Sequence, residues 1–570
     1  MKIALVQMSP VTGDLKGNLE RIKKEIALAR NNGANLVVFP EMALTGYCIS
    51  DLVEDNLFVK KNKELIDEIV KETKDIAVIL GFIDHDNLKK NNDGRIRKYN
   101  AAALLQNEEV LGIVHKTLLP NYRYFDDKRY FVAGEERKPI LININGKELA
   151  LGISICEDMW DDDYEIKPIK ELAHKGADII VNINASPFYP GKIEKREEII
   201  KRHIKETGLP FIYLNTVGSA DNGKNIIPFD GQSLVYDNNG KLLALGKQFE
   251  EETILVDLDK HQTVQKPTQN KEKELFEALV MSLKEYAKQT GFRKAILPLS
   301  GGIDSALGLV ITAEAFGKEN VVAYNLPSRF NTVMTKGIAE KLARNLDVEY
   351  RAIPIQEIDE KIKNIFEKNA HKIQNKVAKE NLHARIRGML MMLESNDSGA
   401  LLISNGNKTE IALGYSTLYG DMCGGISVIG DLSKTDVYEI SKYINEKYGQ
   451  EIIPKEAFTI KPSAELSEGQ YDPFDYDVVS PLVELFVEER DSPAEIVEKF
   501  KNKNLGERFN KEVYQKYTVE TFEKLVYDTY KLLRRSVYKR LQGPPIIVVT
   551  GRSFGFDLRE TLINKWEGKL

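Results

Sequence analysis

The sequence predicts an α/β protein of two large domains, and three observations carry that prediction. The chain has 570 residues, more than one hydrophobic core usually organises. Short β-branched runs alternate with amphipathic helical stretches in both halves, the pattern of layered α/β domains. Between the halves, residues 259–273 turn polar, contain Pro267 and lose all periodicity, as a linker does. The predicted domains are therefore 1–258 and 274–570, joined by 259–273.

In the first domain the strand-like runs begin with Ile-Ala-Leu-Val-Gln-Met at 3–8, followed by a helix over 18–31 and a strand over 36–40. Runs at 76–82, 101–106, 150–156, 178–184 and 211–215 continue the alternation. Residues 150–155 are apolar almost throughout, as expected of a strand covered on both faces. The second domain opens with a helix over 274–290 that carries Leu275, Ala278, Leu279 and Leu283 largely on one face. Strands at 294–299, 321–326 and 349–353 then alternate with helices after Asp304 and Thr332, which predicts a doubly wound parallel sheet.

An apolar fraction of 42% and a charged fraction of 29% describe well-packed cores under an ordinary surface, not a disordered chain. The net charge of −6 supplies no field for nucleic acid or an anionic membrane, so neither is expected as a partner. The three cysteines, Cys48, Cys156 and Cys423, lack any C-x-x-C spacing, so neither a disulfide framework nor a zinc site is expected. No apolar run reaches the roughly 18 residues that cross a bilayer. Residues 1–6 read as a strand and not as a secretory signal, which makes the cytoplasm the expected compartment.

The segment Leu299-Ser300-Gly301-Gly302-Ile303-Asp304-Ser305 lies between the strand at 295–299 and an apolar helix over 306–316. Strand-to-helix turns are where α/β sheets bind ligands. Two glycines let the backbone approach an anion and turn its N–H groups toward it, the hydroxyls of Ser300 and Ser305 can donate to it, and the helix adds its positive end. Asp304 can cap that helix or hold magnesium against phosphates. A Gly-Gly pair alone is usually a plain turn, but the full Ser-Gly-Gly-x-Asp-Ser in this context points to a pyrophosphate loop. It lacks the Walker spacing and its lysine, which disfavours γ-phosphoryl transfer.

This loop resembles that of the ATP pyrophosphatases, which split ATP between its α and β phosphates to adenylate a substrate. Three further segments resemble the NAD synthetase signature: Glu380-Asn381-Leu382-His383-Ala384-Arg385-Ile386-Arg387-Gly388-Met389, Ser404-Asn405-Gly406-Asn407-Lys408-Thr409-Glu410, and Gly414-Tyr415-Ser416-Thr417-Leu418-Tyr419-Gly420-Asp421-Met422. The resemblance implies that Leu299 to Ser305 and Asn405 bind ATP, that Asn381, Arg385, Glu410 and Lys539 meet deamido-NAD+, and that Asp304 and Glu410 hold Mg2+. Arg387 could meet phosphates and Lys408 could steady the leaving pyrophosphate, or these charges could be ordinary helix and turn residues. Residues 461–466 resemble the family's mobile loop. Asn405 stands where threonine is usual, and 467–470 is less basic than usual.

The first domain carries Phe39-Pro40-Glu41, Val114-His115-Lys116 and Ser154-Ile155-Cys156-Glu157, each closely following a strand-like run. Amide hydrolysis through a thioester needs a thiolate, a base to take and return its proton, and a donor for the oxyanion. Cys156, Glu41 and Lys116 match those needs, while Cys48 and Cys423 read as inert core. This set resembles the nitrilase superfamily, which implies an αββα sandwich and a glutamine site at Tyr122, Ser186 and Lys192. Asp127 stands where that family commonly has a second glutamate. Nearly the whole chain resembles the glutamine-dependent NAD synthetases. That implies deamido-NAD+, ATP and glutamine or ammonia as substrates, Mg2+ as cofactor and a homo-oligomer. A different glutamine amidotransferase or a non-catalytic scaffold are the competing classes. The first should lack the segments around 381 and 414, and the second should have lost catalytic groups.

Overall fold

The computed structural model describes residues 1–91, 94–144, 146–260, 264–463, 467, 471–566 and 568. They form two units, one of Met1–Asn222 with Ile227–Gln269 and one of Gly223–Ile226 with Asn270–Leu570. The helix that opens the second unit is Lys271–Thr290, because the Asn270 side chain caps it by accepting from the Lys273 N–H. Of the expected linker, residues 261–263 lie outside the described residues.

In the first unit, one sheet has the strand order Glu252–Asp257, Lys2–Gln7, Leu36–Val38, Ala77–Lys90, Ile96–Gln106, Glu109–His115. The other has Leu242–Leu245, Leu234–Tyr236, Phe211–Asn215, Ile179–Asn184, Lys147–Ile155, Ile140–Ile144. Their inner faces share one core, with Ile3, Leu36 and Ile79 from the first sheet and Ile153, Val181 and Ile212 from the second. The alternate residues are buried as well. Ala4, Val37 and Val78 pack under Ile22, Ile26 and Ile66 of the helices Leu15–Asn31 and Asn56–Val70. Ile180, Phe211 and Tyr213 pack under Leu172, Ile200 and Ile204 of Pro168–His174 and Lys192–Thr207. Burial of both faces explains the unbroken apolar runs, and each fully buried Ile or Leu contributes about 2 kcal/mol. The layering is αββα.

The strand at 77 runs on to Lys90, beyond the end of its apolar pattern at 82. Its antiparallel ladder with Ile96–Gln106 continues after the core contacts stop, and Asn87, Leu88, Lys89 and Lys90 are exposed. Backbone pairing, invisible to hydropathy, decides that length.

In the second unit the strands Ile546–Ile547, Ile426–Ser427, Leu401–Ser404, Ala295–Pro298, Val321–Asn325 and Glu349–Ala352 lie in that order, all parallel. The chain proceeds from Ala295–Pro298 to Val321–Asn325 on one side and returns to Leu401–Ser404 on the other. The order therefore reverses at Ala295–Pro298. Loops leaving the carboxyl ends of strands at such a reversal form the ligand crevice of doubly wound sheets, and both 299–302 and 405–407 leave there. No helix among the described residues is long and apolar enough to cross a membrane.

Candidate active sites

In the first unit, three strand ends bring the predicted amide-hydrolysing residues into one neighbourhood. Cys156 directly follows Lys147–Ile155 and opens a tight turn with φ of 46°, a left-handed conformation uncommon for a residue with a side chain. Lys116 follows Glu109–His115 and is buried, its Nζ lying 2.8 Å from Glu41 Oε1 and 2.7 Å from Asp127 Oδ2. Glu41 also accepts from Asn100 Nδ2 at 2.7 Å and from the Ala185 N–H at 2.8 Å. Asp127 accepts from the Tyr47 hydroxyl at 3.0 Å. The shorter Asp127 side chain thus still reaches Lys116.

Burial opposes the charge on Lys116, but Asp127 and Glu41 outweigh it and hold the ammonium well above its ordinary pKa. Burial, reinforced by the Glu41 carboxylate, pushes the Cys156 thiol up, with Lys116 pulling the other way. The balance at Cys156 favours the thiol over the thiolate.

Around this centre, the Tyr122 hydroxyl donates to both Glu157 oxygens (3.2 and 3.0 Å), and Tyr164 donates to the same carboxylate at 3.0 Å. Ser186 is buried and its backbone is gripped on both sides. Its N–H donates to Asn215 Oδ1 at 2.8 Å, and its carbonyl accepts from Arg196 Nη2 at 2.9 Å. Arg196 is itself locked by Asp230 through two bonds of 2.8 and 2.9 Å. The Lys192 ammonium sits over the Trp160 ring at 4.0 Å, and burial followed by Arg196 brings its pKa down to about 7. The sequence reading missed Asn100, Tyr47, Tyr164 and the Arg196–Asp230 pair, since no local motif announces them. All three cysteines are free.

In the second unit, Leu299 to Gly302 leave the first strand and Ile303–Phe316 follows at once. Gly301 has φ of 93° and packs so closely that a Cβ there would lie 2.2 Å from the Thr335 carbonyl, so glycine is required. Two expectations change here. The Ser300 and Ser305 hydroxyls bond one another at 3.1 Å, and Ser300 Oγ accepts from the Gly302 N–H at 3.2 Å, so they shape the loop as well as facing it. Asp304 does not cap the helix, whose N-cap is Gly302. It lies in the first turn, where Oδ1 accepts from Asn407 Nδ2 at 2.9 Å and Oδ2 pairs with Lys434.

Asn405 follows Leu401–Ser404 and donates from Nδ2 to the Pro298 carbonyl at 3.0 Å, against Gly308 of the helix. Asn407 and Glu410 form a capping box on Lys408–Leu413, which fixes the Glu410 carboxylate near Asp304. Lys434 Nζ pairs with Asp304 and lies 3.6 Å from Glu410 Oε1. Burial, then repulsion from Asp304, pushes the Glu410 carboxyl up to about 8 against the pull of Lys434. Asn407 was legible as the start of an Asn-x-x-Glu capping box; Lys434, some 24 residues beyond Glu410 in sequence, was not. The two carboxyl groups gathered here offer oxygen donors of the kind Mg2+ takes beside phosphate oxygens. No group of three or more metal-binding side chains occurs among the described residues.

Lys408 corrects the reading of that motif. Its side chain is fully buried, with Nζ 2.7 Å from Glu488 Oε1, 2.7 Å from Thr550 Oγ1, 2.8 Å from the Arg552 carbonyl and 3.2 Å from Asp431 Oδ1. It ties interior segments together and is not aimed at pyrophosphate. Arg387 is also directed inward, donating from Nε to the Leu326 carbonyl at 3.0 Å and from Nη2 to Asn331 Oδ1 at 3.2 Å.

Asn381, Arg385 and Lys539 converge on the segment 414–418. Asn381 Oδ1 accepts from the Thr417 hydroxyl at 2.8 Å, Arg385 Nε donates to the Leu418 carbonyl at 3.2 Å, and Lys539 Nζ donates to the Gly414 and Ser416 carbonyls, both at 2.7 Å. Arg385 also lines a cavity of about 590 Å³ with Ile362, Phe366, Ile373 and Leu382. Of the expected mobile loop, residues 464–466 lie outside the described residues, as do 468–470 of the less basic continuation.

An αββα unit with a buried Cys-Glu-Lys set, joined in one chain to a doubly wound unit with a pyrophosphate loop, defines a class: an amidotransferase that supplies nitrogen to an ATP-dependent ligase. The comparisons with known proteins agree. The carbon-nitrogen hydrolase family model matches residues 2–267 and the NAD synthase model matches 275–525. The glutamine-dependent NAD(+) synthetase of Thermotoga maritima is 36% identical over 546 residues, 88% of this chain and 91% of that protein. The solved glutamine-dependent NAD+ synthetase of Acinetobacter baumannii, in complex with ADP, matches with a TM-score of 0.72 at 31% identity over 99% of both chains. That of Cytophaga hutchinsonii, 21% identical, shares the fold with a TM-score of 0.83 over 99% of this chain and 98% of its own. The chain belongs to the glutamine-dependent NAD(+) synthetases.

Proposed function

We propose that residues 1–258 release ammonia from glutamine and that residues 274–570 use it to amidate deamido-NAD+ activated by ATP, giving NAD+, AMP, pyrophosphate and glutamate. The Glu41 carboxylate takes the Cys156 thiol proton as sulfur attacks the carboxamide carbon, and the Lys116 ammonium stabilises the oxyanion. The protonated Glu41 gives that proton to the departing nitrogen, leaving a glutamyl thioester and ammonia. Water, deprotonated by Glu41, then hydrolyses the thioester to glutamate. Tyr122, Ser186 and Lys192 hold the glutamine; an ammonium such as Lys192 suits its α-carboxylate.

In the second domain, Leu299 to Ser305 and Asn405 bind ATP through the loop's N–H groups and the helix N-terminus. The carboxylate of deamido-NAD+, held by Asn381, Arg385, Glu410 and Lys539, attacks the α-phosphorus and expels pyrophosphate. Ammonia attacks the resulting acyl-adenylate and AMP leaves. Asp304 and Glu410 would hold Mg2+, which when bound neutralises phosphate charge. We also take the enzyme to be a cytoplasmic homo-oligomer.

The observation that carries this reading is the buried Lys116, bonded to Glu41 at 2.8 Å beside the strained Cys156 turn. Cys156→Ala tests it. Glutamine-supported NAD+ synthesis falls by at least about 10³-fold while ammonia-supported synthesis persists; loss of both in a folded variant contradicts the division of labour.

A further inference from the structure

Asp158 lies in the turn Cys156–Met159 and is 2% exposed. Its Oδ1 accepts from the backbone N–H groups of Thr117 at 3.0 Å and Leu118 at 2.8 Å, and its Oδ2 accepts from that of Ile155 at 3.0 Å. Thr117 and Leu118 directly follow Lys116, and Ile155 directly precedes Cys156. One side chain therefore grips the main chain next to both residues.

We propose that Asp158 is a positioning residue for amide hydrolysis, holding the Lys116 and Cys156 segments in register through these three backbone bonds. The proposal rests on the catalytic roles assigned above to Cys156 and Lys116. Asp158 acts through them without touching substrate. Only a carboxylate suits the task, because it accepts at both oxygens. An asparagine would keep one acceptor and point its amide N–H groups at a backbone donor. Burial pushes the Asp158 carboxyl up to about 7 while the backbone donors and Lys116 pull it back. A neutral side chain would avoid that desolvation, but none of this length accepts from three N–H groups.

The test is Asp158→Asn, assayed in the full enzyme with glutamine and with ammonia. The expected result is a kcat with glutamine about 100-fold lower, the order that a misplacement near 1 Å produces. KM for glutamine should stay within about threefold, since Ser186 and Lys192 lie on other segments and Tyr122 keeps its bonds to Glu157. The ammonia-supported rate should not change, and alkylation of Cys156 by iodoacetamide should slow as Lys116 and Glu41 lose their alignment with the thiol. A kcat with glutamine within about threefold of wild type overturns the proposal. So does a change confined to KM, or a loss of the cooperative thermal transition, either of which would give Asp158 another role. Cys156→Ala, run alongside, separates the two levels: if it retained glutamine-supported synthesis, the catalytic assignment itself would fail, whatever Asp158→Asn does.

Discussion

The two candidate sites share one charged pattern, an ammonium between two carboxyl groups, and differ in how far that pattern is enclosed. In the first unit a single ammonium, Lys116, is bonded to two carboxylates, and each of those has further donors of its own: Asn100 and the Ala185 N–H on Glu41, Tyr47 on Asp127. That cluster is enclosed and complete. In the second, Asp304 and Glu410 share Lys434, and their mutual repulsion, added to burial, holds the Glu410 carboxyl near 8. An amide without net charge at its reacting carbon is served by a site whose hydrogen bonds are already made. A polyanion with its counter-cation is served by a site whose two carboxyl groups stay partly exposed, and where an added cation favours ionisation of Glu410.

Substitutions at each centre can break that comparison. After Cys156→Ala, the largest expected effect is at Asp304. Asp304→Ala removes a carboxylate from the pair, and synthesis should fall about 10²- to 10³-fold with either nitrogen source, the range for losing one electrostatic partner of a transition state. Activity equal to wild type at saturating magnesium would sink its role, and a loss confined to glutamine would place Asp304 in the wrong half of the reaction.

A smaller effect concerns pH. Lys192, lowered to about 7, is an ammonium below that value and neutral above it. If it binds the glutamine carboxylate, kcat/KM for glutamine should decline above pH 7, approaching about tenfold per pH unit well beyond the pKa. Lys192→Arg keeps its charge and should move that limb to higher pH. A profile recorded from pH 6 to 9 that is flat, or identical in the two enzymes, contradicts the assignment.

Much of the fold was legible because both faces of the strands are covered. The run at 150–155 reads as a strand covered on both faces, and Leu151, Ile153 and Ile155 enter the inter-sheet core. What hydropathy could not supply was the ladder from 83 to Lys90, which backbone pairing extends. The site divides in the same way. Cys156 and Lys116 follow a strand directly and Glu41 comes three residues after one, so sequence order alone placed them near strand ends. Partners that arrive from remote segments left no local trace: Asn100 on Glu41, Lys434 on Asp304, Asp230 on Arg196. Lys408 shows the converse. Its motif made it look like a phosphate contact, but a lysine can equally be drawn inward where Asp431 and Glu488 compensate its desolvation.

The most direct test of the coupled reaction is product analysis with deamido-NAD+, ATP, magnesium and glutamine labelled with ¹⁵N in its amide. The expected product is NAD+ carrying the label in its carboxamide, with AMP and pyrophosphate formed in step with it. ADP and phosphate in place of AMP and pyrophosphate, or NAD+ without the label, would contradict it.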